Sequence, residues 1–358
     1  MTDGVRPDPP ARDGAAVRPA ALGLGERTKA HIRDVARVAG VSHQTVSRVL
    51  NDQPMVRPET RDRVLAAIRQ LDYRPSVAAR ALNTGRTRAL GVITFDATRY
   101  GPVSVLHGIG EAAWDSGYLV STVALRRPDR DSVLETMRRL VDQAVDGIIV
   151  IAARESVARA VCEMPRQVPL VILDNSFNGQ VPTVGVDELL GARQATRHLL
   201  GLGHRTVWHL AGPAQWIAAQ GRLVGWEAAL LQAGAVVPAP VSGDWSADSG
   251  YRLGRELARR PEVTAIFAGN DQMALGLLRA LREAGRRVPQ DVSVVGYDDI
   301  PEAAYLVPPL TTVRPDFAEV GRRCIATVLD QLDAPRHAVR VVVPTQLIVR
   351  DSSGPPPR

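Results

Sequence analysis

Two regimes of hydrophobic spacing divide the chain. Between residues 31 and 83 the apolar positions recur at helical intervals: Ile32, Val35, Ala36 and Ala39, then Val46, Val49 and Leu50, then Val64, Ala67, Ile68 and Leu71. Each set falls on one helical face, which predicts three short helices closing on a small core. Gly40 supplies the positive φ of a tight turn, and Ser42 can cap the second helix.

From residue 89 onward, short apolar runs alternate with amphipathic stretches. "ALGVITF" (89–95) precedes a helix predicted from Pro102 to about Trp114, and "YLVSTVAL" precedes one from Ser132 to Val145. "GIIVIAA", "PLVILD" and "TVGVD" read as strands, followed by a helix over Glu188–Leu202. "TVWHLAG" leads to a helix over about Trp216–Ala233, and a further helix spans Ser249–Arg259. "AIFAGN" (265–270), a helix over Gln272–Ala284 and "VSVVGYDD" complete the series. Such alternation means βαβ crossovers and buried parallel sheet. Roughly 260 residues of it exceed one doubly wound sheet, so two are expected with a cleft between them. The first 28 residues, rich in Pro, Gly and Ala, read as a disordered tail, and so does the closing "DSSGPPPR".

Charge sharpens this division. The net charge is +6, yet residues 27–88 alone carry 13 basic and 5 acidic side chains, a surplus of 8. A single-sign patch confined to the three-helix segment points to a polyanion partner. There is no apolar run of 18 residues and no secretory pattern, so a cytoplasmic protein without a membrane partner is expected. Cys162 and Cys324 are far apart and read as packed thiols. "GIG" (108–110) lies inside a helix and "GLG" (201–203) ends one, so neither reads as a phosphate loop. No GxSxG, HExxH, Walker or metal-ligand spacing occurs; no enzyme, cofactor or metal is expected.

The second helix buries Val46, Val49 and Leu50 and offers His43, Gln44, Ser47 and Arg48 on the opposite side. Gln can address adenine bidentately, Arg can address guanine, and Ser or His can reach a base or phosphate. Within helix–Gly turn–capped helix, this is a helix-turn-helix reading surface for the major groove. Arg57, Thr60 and Arg61, near the start of the third helix, are candidates for phosphate contacts.

The segment "IRDVARVAGVSHQTVSRVLN", continued by "VRPETRDRVLAAIRQLDYRPSVAARALNTGRTRALGV", resembles the head of the LacI/GalR family of bacterial transcription repressors. The likeness runs from about residue 31 to about 350. It implies a three-helix head plus hinge helix, then an α/β core of two doubly wound parallel-sheet subdomains of the periplasmic-binding-protein type I fold. The domains expected are a tail (1–28), a DNA-binding head (29–75) and a hinge (76–86). The core then divides into an N-subdomain (87–187 and 315–344) and a C-subdomain (188–314 and 345–351), with a tail at 352–358. Thr45 and Asn51 join the candidate DNA contacts. In the family, the segment matching "PSVAARAL" folds as a helix on the operator, and residues at the positions of Leu82 and Ala79 enter the minor groove. Such apolar wedging is a known minor-groove device.

"GDWSADSGY", "NDQMALG", "DVSVVGYDD" and "PPLTTVRPDF" resemble a galactoside-responsive member of that family. Its sugar contacts carry over to Asp174, Arg222, Trp245, Asn270, Asp298 and Phe317. The chemistry agrees: Asp174, Asn270 and Asp298 follow predicted strands, where open α/β sheets bind ligands. Carboxylates, an amide and a guanidinium pair with sugar hydroxyls, and an indole packs on a pyranose. Arg99, Tyr100 and Ala218 depart from that member and flank the expected mouth, where an aglycone or second ring would lie. His43 also departs from it, within the base-reading helix. No leucine heptad follows Arg350, so a homodimer on pseudo-palindromic operator DNA is expected. The expected activity is repression relieved by a small, galactoside-like sugar; a same-family regulator with a non-sugar co-repressor and a sugar-transport component are the alternatives.

Overall fold

A computed structural model describes residues 30–50, 53, 55–73, 85–95, 98–125, 129–152, 154–162, 167–173, 180–334 and 338–357. The chain divides into two compact units, Met1–Arg80 and Ala81–Arg358. Most of the hinge segment, the first tail and four of the candidate contacts (Asn51, Ala79, Leu82 and Asp174) lie outside the described residues.

The head consists of α1 (Ile32–Ala39), α2 (His43–Leu50) and α3 (Pro58–Gln70). Its core is Val35, Ala36, Ala39, Val46, Val49, Val64 and Ala67, with Ile32, Leu50, Ile68 and Leu71 packed around it. Gly40 takes φ +64 and ends α1, its N–H donating back to the Ala36 and Arg37 carbonyls. Ser42 Oγ accepts from Thr45 N at 3.2 Å, capping α2.

The core contains two six-stranded sheets. The first includes β1 (Ala89–Phe95), β2 (Leu119–Leu125), β3 (Gly147–Ile151), β4 (Leu170–Leu173), β5 (Thr183–Val186) and β11 (Arg340–Val343), in the order β11-β5-β4-β3-β1-β2 and wholly parallel. The second includes β6 (Trp208–Ala211), β7 (Val241–Ser242), β8 (Ala265–Ala268), β9 (Ser293–Tyr297), β10 (Thr311–Pro315) and β12 (Thr345–Ile348). Its order is β12-β10-β9-β8-β6-β7, with only the β10–β12 pair antiparallel. The inner strands β3, β5, β8 and β9 are buried throughout, whereas the edge strand β2 is partly exposed.

Eight helices accompany these strands among the described residues: α4 (Tyr100–Asp115), α5 (Arg130–Asp142), α6 (Glu155–Cys162), α7 (Glu188–Gly201), α8 (Ile217–Gln232), α9 (Ala247–Ala258), α10 (Asp271–Glu283) and α11 (Phe317–Asp333). The alternation in the sequence underlies both sheets, but helix ends moved where a cap or turn overrode periodicity. α5 begins at Arg130 because Asp129 accepts from Ser132 N, and it stops at Asp142 as the chain turns through Ala144 at φ +57. α9 starts two residues earlier than its apolar pattern because Ser246 caps it.

The chain passes between the sheets three times: between β5 and β6, between β10 and β11, and between β11 and β12. "GIG" proves to be a packing device, since a Cβ on Gly108 would stand 2.8 Å from the Phe317 carbonyl oxygen. α4 and α11 therefore approach closely, which fixes the start of α11 beside the cleft.

The closing tail, expected to hang loose, is instead tied down. Ser352 is fully buried; its Oγ donates to the Val294 carbonyl at 2.6 Å and accepts from Thr311 N at 2.8 Å. Gly354 N donates to Ser293 Oγ at 2.9 Å, and the Gly354 carbonyl meets His204 Nε2 at 3.0 Å. The composition of a tail says nothing about partners supplied by β9 and β10, and these hydrogen bonds order it.

Candidate functional site

In the head, His43, Gln44 and Arg48 are exposed on α2, opposite buried Val46 and Val49. Thr45 and Ser47 are half-buried. The Thr45 hydroxyl lies 3.0 Å from Ser42 Oγ, so Thr45 also serves the helix cap. Arg57 is exposed at the start of α3, and Thr60 is half-buried one turn on. Arg61 Nη2 donates to the Gln53 carbonyl at 3.1 Å, which braces the α2–α3 loop. The structure thus offers three side chains of α2 outright, while two of the other candidates double as supports.

In the core, Arg222, Trp245, Asn270, Asp298 and Phe317 line one cavity of about 220 Å³. It lies at the carboxyl ends of strands from both sheets: Ile151, Leu173 and Val186 border it from the first, and Trp245, Asn270 and Asp298 follow β7, β8 and β9 of the second. Phe317 begins α11, next to one of the crossings between sheets. Arg99, Tyr100 and Ala218 line the same cavity.

Arg222 organises the polar end. Its Nε donates to Glu188 Oε2 at 2.8 Å, its Nη2 reaches Asp298 Oδ1 at 3.4 Å, and its Nη1 donates to the Gly269 carbonyl. The guanidinium carbon sits 3.6 Å from the Tyr297 ring centroid and 5.4 Å from that of Trp245. Burial alone would lower its pKa; the charges of Glu188 and Asp298 reverse this and raise it. Two carboxylates share this one cation. Burial pushes Asp298 up to about 7, against the pull of Arg222 and with the push of Glu188. Near neutral pH Asp298 is therefore poised either to accept from a hydroxyl or to donate to one.

The neighbouring carboxylates have other tasks. Asp299 turns away from the cavity to Arg314 at 2.5 Å and Arg350 at 2.7 Å. Asp271, fully buried, accepts from Ile300 N at 2.9 Å and Thr312 Oγ1 at 2.6 Å, and so holds the loop that carries Asp298. Burial first, then the charge of Asp298, raises its pKa. Asn270 Oδ1 caps α10 by accepting from Met273 N at 3.0 Å, while its Nδ2 donates to the Trp245 carbonyl and to Gln272. Trp245 (φ +72), Asp298 (φ +106) and Asp299 (φ +47) all adopt left-handed backbone, which costs on the order of 1–3 kcal/mol each and clusters where a site is held in place.

Sequence reasoning missed Glu188, Tyr297 and Trp216. Glu188 reads as an ordinary acid in the first turn of a helix, and Tyr297 as one more strand residue. The one signal for Trp216 was an aromatic side chain directly before the helix that carries Arg222. Among the described residues no group of His, Cys, Asp and Glu is arranged to hold a metal ion, and no helix is long and apolar enough to cross a membrane.

Residues 31–76 match the family described as bacterial regulatory proteins, lacI family, and residues 196–353 match the periplasmic binding protein-like domain. The chain is 35% identical to the lactose operon repressor of Klebsiella pneumoniae over 92% of its own length and 94% of the relative's. It is 32% identical to the transcriptional repressor PurR of Haemophilus influenzae, covering 90% of this chain and 98% of that one. Among solved structures, a lac repressor dimer bound to operator and the anti-inducer ONPF aligns with a TM-score of 0.83 at 33% identity, over 91% of this chain and 99% of that chain.

Proposed function

Because the chain belongs to the lacI family of bacterial regulatory proteins, we propose that it is a transcriptional repressor whose operator affinity falls when a small, galactoside-like sugar enters the core cavity. The convergence of Arg222, Trp245, Asn270, Asp298 and Phe317 on one cavity carries this reading. Charged and amide groups at one end suit paired hydroxyls, and the aromatic walls suit the C–H faces of a pyranose. Asp174 completes the proposed contacts on the strength of the family resemblance, as do Asn51, Ala79 and Leu82 for DNA.

The head reads the operator through His43, Gln44, Ser47 and Arg48, with Thr45, Arg57, Thr60 and Arg61 positioning it. A homodimer presents two such helices to pseudo-palindromic DNA. Val103, Trp114 and Leu119 in the first half of the core, and Leu275, Tyr305 and Val307 in the second, are exposed apolar side chains that a two-fold interface would cover. Sugar touches both halves of the core and favours whichever arrangement it binds better. A coupling of about 1–3 kcal/mol changes operator affinity roughly 5- to 150-fold.

The test is a mobility-shift assay on promoter DNA flanking the gene, at fixed salt because phosphate contacts dominate affinity. Galactosides, other sugars and nucleobases are added in turn. The expected result is release by a sugar, with Arg222→Ala still binding DNA but no longer released. Tighter binding on addition of a nucleobase, with no response to any sugar, would replace the inducer reading by a co-repressor one.

A further inference from the structure

Resting on the repressor reading above, we infer that Asp146 is a positioning residue for operator binding: from the core it clamps the connector that leads to the head. The two compact units join in sequence at Arg80 and Ala81, so the residues up to Arg88 link the head to β1. The last two of them converge on one carboxylate. Asp146 Oδ1 accepts from Thr87 N at 2.8 Å, and Asp146 Oδ2 accepts from Arg88 N at 2.8 Å. The single Thr87 hydroxyl proton is shared between Asp146 Oδ1, at 2.8 Å, and the Ala144 carbonyl, at 2.7 Å. Asp146 N donates to the Ala89 carbonyl at 2.8 Å, and Leu119 N donates to the Arg88 carbonyl at 2.9 Å.

Arg86 adds a second hold. Its Nη2 donates to Asp333 Oδ1 at 2.8 Å and to the Leu332 carbonyl at 3.3 Å, at the end of α11 opposite Phe317. At 1.5 Å per residue α11 is about 25 Å long, so one end borders the cavity and the other borders the connector. The two holds are unequal. Asp333 is largely exposed, and water screens its pair with Arg86. Asp146 is half-buried, and its bonds to main-chain N–H groups are charge-assisted, the stronger class. Asp146 therefore carries the clamp.

The clamp holds a conformation the chain would not keep unaided. Arg88 adopts φ +56, a left-handed backbone that is unfavourable for a residue with a Cβ. Gly85, at φ +68, turns the same way at the other end of the clamp and has no Cβ to resist it. These two residues, three positions apart, set the direction in which the connector leaves the core. Without Asp146, Arg88 relaxes and that direction is lost. The loss matters where two heads must engage two half-sites at once. A well-aimed connector raises the effective concentration of the second head at its half-site, whereas binding to unrelated DNA makes no such demand.

The test is a mobility-shift titration of the full chain at fixed salt, on promoter DNA flanking the gene and on unrelated DNA of equal length. Asp146→Ala is expected to weaken promoter binding about tenfold or more, as the loss of charge-assisted hydrogen bonds implies, and to leave unrelated DNA bound as before. Asp146→Asn, which keeps one acceptor oxygen, should recover part of the affinity. Thr87→Val, which keeps its main-chain N–H on Asp146, should lose less than Asp146→Ala, and Arg86→Gln less than about twofold. Hydrogen exchange reads the clamp directly: the Thr87 and Arg88 amides exchange slowly in the parent and fast in Asp146→Ala, while β1 and β3 keep their protection. If Asp146→Ala also exposes β1 and β3, Thr87→Val decides, with a loss on promoter DNA alone expected. Unchanged promoter affinity despite fast exchange at Thr87 and Arg88, or an equal loss on both DNAs, overturns the inference and leaves the repressor reading standing. A parent chain that prefers no promoter fragment over unrelated DNA overturns both.

Discussion

The side chains that the head offers a partner, His43, Gln44 and Arg48, stand in water within one eight-residue helix. Those of the core, Arg222 and Asp298, are 76 positions apart, nearly sealed, and share their charge with Glu188. The head faces a highly charged polymer, so solvated donors serve it and their loss costs the fold little. On the proposed reading the core faces a neutral polyol, which calls for polar groups desolvated and held before the ligand arrives. That requirement fits the left-handed backbone at Trp245, Asp298 and Asp299, which gathers three strained residues at the site, whereas in the described head the one such residue is Asp72 (φ +43), in the turn after α3.

Removing a charge in each region should separate the two most sharply. Arg222→Met is expected to destabilise the core by about 3–5 kcal/mol in urea unfolding, because Glu188 is left buried without its cation. A loss below about 1 kcal/mol would mean that water screens the pair and that the sealed site is not what distinguishes the core.

Asp298→Asn should act in the opposite direction. The folded carboxyl titrates near 7 and the free one near 3.8. The native state therefore holds a proton more tightly, and stability falls as pH rises from about 4 to about 7. The Asn variant escapes that loss. It should gain up to roughly 4 kcal/mol over the parent at pH 8 and nothing at pH 3.5, while losing its response to sugar. A gain equal at both pH values would place its origin elsewhere.

In the head, Arg48→Ala should weaken operator binding by about 1–3 kcal/mol and relax the preference at one base pair. Its urea midpoint should stay unchanged, since Arg48 is exposed and outside the packed cluster. The smallest effect belongs to Arg57→Ala, which should weaken all DNA sequences alike and reduce the slope of log affinity against log salt by about 0.9. A sequence-dependent loss at Arg57 would blur the line between positioning and reading.

The head was more fully legible than the core site. Val46 and Val49 on one side of α2 and Gln44 and Arg48 on the other are visible from the helical repeat alone, because partners four positions apart are neighbours in space. In the core, strand ends marked Asn270 and Asp298, but nothing local joined them to Glu188 or Tyr297. Adjacent Asp298 and Asp299 look equivalent on paper, yet one faces Arg222 and the other is taken by Arg314 and Arg350.

Sequence by itself determined the three-helix head, the strand–helix alternation and the polarity of the reading helix, since each depends on periodicity over a few residues. Tertiary structure decided which carboxylate meets Arg222, that Trp216 lines the cavity, and that Ser352 and Gly354 tie the tail to β9. Those outcomes arise from strand order and chain crossings that bring distant residues into a low-dielectric space, where neighbours rather than residue type set charge and hydrogen bonding.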